Sequence, residues 1–154
     1  MIHLEIYIDG ASKGNPGESG VGVVVYHNGA LIKNISSYIG CATNNVAEYT
    51  ALIFALEEAL LLKANSLMIN TDSQLLARQL NKIYKVKNEG ILNLYNRAVH
   101  LLSGFEKVVI NHIEREKNTL ADKLATEAVK KKQAVGGCSS RFVVGGKSGL
   151  QRIT

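Results

Sequence analysis

The apolar residues first change their spacing near residue 45, and that change restricts the fold more than any other feature. Before it the period is two. Ile2, Leu4, Ile6 and Ile8 alternate with His3, Glu5, Tyr7 and Asp9, which predicts a strand with Asp9 at its end. Gly10, Gly14, Pro16 and Gly17 then predict a loop. Residues 20–26 read as a second strand, His27-Asn28-Gly29 as a hairpin turn, and residues 30 to about 39 as a third strand. From about residue 45 to 63 the spacing becomes helical. A short strand at 67–72, a short helix at 73–81, a helix at 91–102 and a strand at 108–113 follow. Asn118 is expected to cap a last helix with the stripe Ala121, Leu124, Ala125, Ala128 and Val129. Three consecutive strands and two more reached through helices imply an α/β domain. Its sheet has five strands: an antiparallel meander, then two parallel strands, flanked by helices.

The chain's 154 residues are enough for one domain with a sizeable core. No apolar run reaches the ~18 residues of a membrane span, and the N-terminus lacks a signal-peptide pattern. A cytoplasmic monomer with no membrane contact is the expectation. Cys41 and Cys138 have no metal-ligand spacing, and two free thiols are expected in a reducing compartment, with a bridge tying the tail to the body as the alternative. Six of the 18 basic residues, and none of the 13 acids, lie from Lys130 onward. The first 129 residues therefore balance 12 cations against 13 anions. Residues 1–132 read as the domain and 133–154 as a basic extension, either disordered or adding an edge strand at Phe142-Val143-Val144. A basic extension suits contact with a polyanion.

Four acids stand out. Glu48 shares its helix face with Ala51, Leu52, Ala55, Leu56 and Ala59, the stripe that should meet the sheet, so its carboxylate points inward. An ionised inward carboxylate costs several kcal/mol unless it is paired or binds a metal. A capping role at the helix start, with Thr43 or Asn44 as the cap, is the structural alternative. Asp72 ends a strand as Asp9 does, although Asp72 or Ser73 could simply cap the next helix. Asp122 heads the last helix, where the helix dipole favours it. Together these four could gather at one sheet edge. Convergent carboxylates need cations, and oxygen ligands select Mg²⁺ or Mn²⁺. A pair of such ions serves in-line displacement at phosphorus, which points to phosphodiester hydrolysis.

Four stretches carry these acids: Asp9-Gly-Ala-Ser-x-Gly-Asn-Pro-Gly17, Thr43-Asn-Asn-x-Ala-Glu48-Tyr-x-Ala-Leu52, Thr71-Asp-Ser-Gln-Leu75 and Arg115-Glu-Lys-Asn-x-x-Ala-Asp122-x-Leu-Ala125. In this order they closely resemble ribonuclease H type 1, over about residues 2–132. The resemblance implies the ribonuclease H fold and endonucleolytic cleavage of RNA in RNA/DNA hybrids, leaving 5′-phosphate and 3′-hydroxyl ends. It implies two Mg²⁺ ions, replaceable by Mn²⁺, on Asp9, Glu48, Asp72 and Asp122. It also implies substrate contacts from Gly10, Ser12, Asn15, Thr43, Asn44, Asn45 and Gln74, with Thr43 and Asn15 forming a phosphate pocket for the DNA strand. Two features of the best-known bacterial form are missing. Residues 113–118 are too short for its loop histidine, and Arg115 is expected to take over part of that role. Only Tyr84-Lys85-Val86-Lys87 stands where that form has a basic, Trp-bearing handle, and this chain has no Trp. The basic extension is then a candidate for hybrid binding.

Overall fold

The computed structural model describes residues 1–82 and 85–132. Five strands, β1 (His3–Gly14), β2 (Gly17–His27), β3 (Ala30–Ala42), β4 (Ser66–Thr71) and β5 (Lys107–His112), form one sheet in the order β3-β2-β1-β4-β5. The first three make the expected antiparallel meander, and β4 and β5 run parallel to β1. The helices are α1 (Asn44–Leu61), α2 (Gln74–Leu80), α3 (Glu89–Leu102) and α4 (Thr119–Lys132). A 3₁₀ turn at Arg115–Lys117 precedes α4. Among the described residues no helix is long and apolar enough to cross a membrane.

Alternation in β1 drives the layering. Leu4, Ile6 and Ile8 are fully buried with Val21, Val23 and Val25 of β2, Ile69 of β4, and Leu52 and Leu56 of α1. Burying each such side chain stabilises the fold by about 1.5–3 kcal/mol. α1 lies between the sheet and α3, so it is buried well beyond its inner stripe. Its outer acids are paired, Glu57 with Arg97 of α3 and Glu58 with Lys33 of β3. On the opposite face α4 covers β2, with flanking contacts to β1 and β3.

The glycine-rich stretch is not a loop. β1 continues unbroken to Gly14 and pairs with β2 from Leu4↔His27 to Gly14↔Gly17, leaving only Asn15 and Pro16 to turn. Glycine's low strand preference masked this. Here several glycines are small because other backbone passes over them. A Cβ on Gly10 would lie 2.4 Å from the carbonyl carbon of Ala47, and one on Gly22 would lie 2.1 Å from the carbonyl oxygen of Ala121. Asp9 therefore sits mid-strand. It is nonetheless the first residue past the β1–β4 ladder, which ends at Ile8↔Thr71.

Two further expectations are corrected. Asn118 does not cap α4 with its side chain, because its Oδ1 accepts no hydrogen bond. Cys41 is not a free thiol but is disulfide-bonded. The expectations for Tyr84 and for residues 133–154 lie outside the described residues.

Candidate active site

Both parallel strands beside the meander end at the same level. Ile8 pairs with Thr71, so Asp9 and Asp72 are the next residues on adjacent strands. Ser73 caps α2, its Oγ accepting from the Leu76 amide at 3.2 Å, which frees the Asp72 carboxylate from that duty. Thr43 caps α1 in the same way, accepting from the Val46 amide at 3.2 Å. Glu48 is thus too far along α1 for a capping box, and its Oε1 instead accepts from the Gly10 amide at 3.1 Å. Gly10 serves twice: its bare Cα lets the start of α1 close onto β1, and its N–H holds Glu48.

One carboxylate oxygen each from Asp9, Glu48 and Asp72 lies within 4.8 Å of the other two, so these three could hold a metal ion. Asp122, from the first turn of α4, shares a side-chain hydrogen bond with Asp9. All four acids singled out in the sequence meet here, from both faces of the sheet. Burial pushes the Asp9 carboxyl up to about 9, with the charges of Glu48 and Asp72 and the Asp122 contact adding to it. Burial, then Asp72, pushes Glu48 up to about 8, while the Gly10 amide and the Arg115 charge pull the other way. The protein's own cations therefore leave the cluster under-neutralised. An all-oxygen set with surplus negative charge fits a hard divalent cation.

Sequence reasoning missed Asn118 as part of this site. Only 1% exposed, it donates from Nδ2 to the carbonyl of Ile8 at 2.9 Å and to Asp72 Oδ2 at 3.2 Å. It thereby ties the approach to α4 to both acid-bearing strands. Its position one turn before Asp122 was the available signal, obscured by asparagine's preference for helix caps.

The expected substrate residues divide into two groups. Asn15, Thr43 and Asn44 come together where the β1–β2 turn meets the start of α1, with Asn15 Oδ1 accepting from the Asn44 amide at 3.0 Å. Ser12 joins them by donating to the Ala42 carbonyl at 2.9 Å. Asn45 and Gln74 are exposed in the first turns of α1 and α2, on either side of the acids. His112 ends β5 and is exposed.

This fold is shared with known proteins. A family profile described as "Reverse transcriptase-like" matches residues 7–128. The chain is 42% identical over 127 residues to the ribonuclease HI of Halobacterium salinarum, an alignment covering 82% of this chain and 64% of that protein. The chain belongs to the ribonuclease H family, type 1. A bifunctional protein of Mycobacterium tuberculosis is 40% identical over 130 residues, which is 83% of this chain but 36% of that protein. The chain thus spans about a third of the mycobacterial relative's length. The crystal structure of LC11-RNase H1 in complex with an RNA/DNA hybrid superposes with a TM-score of 0.80 at 38% identity, covering 86% of this chain and 99% of that one.

Proposed function

We propose that this protein is an endoribonuclease that hydrolyses the RNA strand of RNA/DNA hybrids, leaving 5′-phosphate and 3′-hydroxyl ends. Residues 1–132 form its catalytic unit. The reading rests chiefly on the three carboxylates within 4.8 Å of one another, each at a position matching a family motif. Asp9, Glu48, Asp72 and Asp122 would hold two Mg²⁺ ions, with Mn²⁺ as a substitute. When bound, such ions supply a water nucleophile at neutral pH and charge stabilisation at the leaving oxygen.

The chain's own groups supply the positioning. The Gly10 amide aims Glu48, Asn118 aims Asp72, and the Asp122 contact steadies Asp9. Gly10, Ser12, Asn44, Asn45 and Gln74 line the RNA side, where 2′-hydroxyls in a wide, shallow minor groove distinguish RNA from DNA. Asn15 and Thr43 receive a DNA-strand phosphate. Arg115 carries its charge toward Glu48 and assists turnover. Arg115→Ala should slow turnover about tenfold with little change in KM, equivalent to about 1.4 kcal/mol in the barrier. Wild-type turnover in that variant would remove Arg115 from the mechanism. We place the enzyme in the cytoplasm as a monomer, with the basic residues 133–154 adding affinity for the hybrid.

The deciding experiment offers labelled RNA/DNA hybrid, duplex DNA, double-stranded RNA and single strands to the enzyme with Mg²⁺, Mn²⁺ or EDTA. Only the hybrid should be cut, and only with metal. Equal cutting of double-stranded RNA would replace hybrid specificity by a broader duplex activity, and cutting in EDTA would overturn the metal assignment.

A further inference from the structure

A row of side chains on the α4 face of the sheet has no part in the acid cluster. α4 packs on β2 with flanking contacts to β1 and β3, and the β4–β5 end of that face is left open, with Val109 of β5 39% exposed. There Glu5 of β1 lies directly across from Tyr26 of β2 on one side and beside Met68 of β4 on the other. These three line a cavity of about 370 Å³ together with His3 and the hairpin residues Asn28 and Gly29. A Cβ on Gly29 would meet nothing within 4 Å, so space stays open around the hairpin.

Glu5 is held in place rather than left to solvent. Its Oε2 accepts from Asn70 Nδ2 at 3.1 Å and from the Tyr7 hydroxyl at 3.4 Å. Asn70 is 2% exposed, and its Oδ1 accepts from Asn111 Nδ2 at 2.9 Å, which fixes the orientation of its amide. Tyr7 in turn packs edge-to-face with Tyr26, the ring centroids 5.7 Å apart. Burial, then the charge of Glu5, raises the Tyr7 hydroxyl above its ordinary pKa, so it stays a donor. A neutral acceptor would satisfy Asn70 equally well, whereas a carboxylate brings a charge. Among the described residues no Lys, Arg or His forms an ion pair with Glu5, and that includes Lys117, which lines the neighbouring cavity. A half-buried carboxylate without a counter-ion carries a desolvation cost that a bound cation offsets.

We propose that this cavity binds a small organic cation, a guanidinium or ammonium group on a short alkyl chain, with Glu5 as its counter-ion and the ring of Tyr26 as its wall. One carboxylate beside aromatic and thioether groups lacks the roughly six oxygen ligands that a hard divalent metal takes. It suits an organic cation, which gains both from the ion pair and from the negative face of an aromatic ring. The volume is that of a small-molecule site, which favours a free cation over a basic side chain presented by a protein surface. Glu5 makes no hydrogen bond to any of the four acids, so the proposal is independent of the catalytic reading and its test needs no substrate.

The test titrates agmatine into the isotope-labelled full chain and follows the amide shifts by NMR, in saturating Mg²⁺ so that the acid cluster does not compete for the probe. Shifts at Glu5, Tyr26, Asn28, Gly29 and Met68 are expected. Glu5→Gln, which keeps an acceptor for Asn70 and should melt within a few degrees of wild type, should weaken binding about tenfold. Tyr26→Leu, with Glu5 intact, should weaken it severalfold. The planar but uncharged N-butylurea should not bind. Shifts confined to Gly10 and Thr71 beside the acids, no shifts at all, full affinity in either variant, or equal binding of N-butylurea would each overturn the cation site. A blocked Gly-Arg-Gly peptide should bind more weakly than agmatine, and a peptide that binds as tightly would overturn the free cation in favour of a basic side chain of a partner protein.

Discussion

Asp9→Asn should reduce hybrid cleavage to about a thousandth of wild type or less, yet yield a metal-free protein that is more stable than wild type at pH 8. The two effects share one cause. Burial, together with the charges of Glu48 and Asp72 and the Asp122 contact, raises the folded Asp9 pKa to about 9, against about 4 in the unfolded chain. The folded state thus binds the proton more tightly than the unfolded state. Its contribution to stability is fully present below pH ~4 and is lost as pH rises through about 9. Glu48, raised to about 8, acts in the same direction. In EDTA the wild-type Tm should therefore fall between about pH 4 and 9, while the Asn variant lacks the Asp9 share of that fall. At pH 8 the variant should melt a few degrees higher. Adding Mg²⁺ should raise the wild-type Tm more at pH 8 than at pH 5, because the ligands bind as carboxylates, and should do so far less in the variant. A flat wild-type profile in EDTA, or a variant less stable than wild type at pH 8, would show that the cluster is not charge-strained.

Gly22→Ala should be among the most destabilising single methyl additions to this sheet. Its Cβ would sit 2.1 Å from the Ala121 carbonyl oxygen and 2.8 Å from the Ala125 amide nitrogen, both in the backbone of α4, so no rotamer change can make room. Overpacking typically costs 1–3 kcal/mol, and a backbone clash belongs at or above the top of that range. A loss of about 3 kcal/mol or more corresponds to a drop of roughly 10 °C in Tm for a domain of this size. Because α4 carries Asp122 and follows directly on Asn118, its displacement should also lower the activity of the fraction that remains folded. Gly90→Ala is the control. Its nearest obstruction is the Asn88 side-chain oxygen at 3.2 Å, and it should melt within a few degrees of wild type. If Gly22→Ala melts with Gly90→Ala, then α4 does not pack on β2 as closely as the structure has it.

Most of the architecture was legible because each element obeys a local rule. The alternation of Leu4, Ile6 and Ile8 marks β1, and the stripe from Ala51 to Ala59 marks α1. The inward position of Glu48 followed from the same helical spacing. Where local rules misled, a distant contact was in control. Gly10 looks like a turn residue, but it sits within β1, where the start of α1 presses on it. Asn118 looks like a cap, but it is buried at the site because Ile8 and Asp72 offer it acceptors 110 and 46 residues away.

The sequence by itself determined the element order, the four acids and the motifs that mark the family, since these depend on residue type and short-range spacing. Only the tertiary structure decided how the acids meet. Asp9 and Asp72 become neighbours through the parallel β1–β4 register, Glu48 is held by the Gly10 amide, and Asp122 is brought in where α4 crosses the bare glycines of β2. The physical reason is that like charges disperse unless backbone packing brings them together. That packing depends on which glycines meet which helices, a relation between distant parts of the chain that no local pattern records.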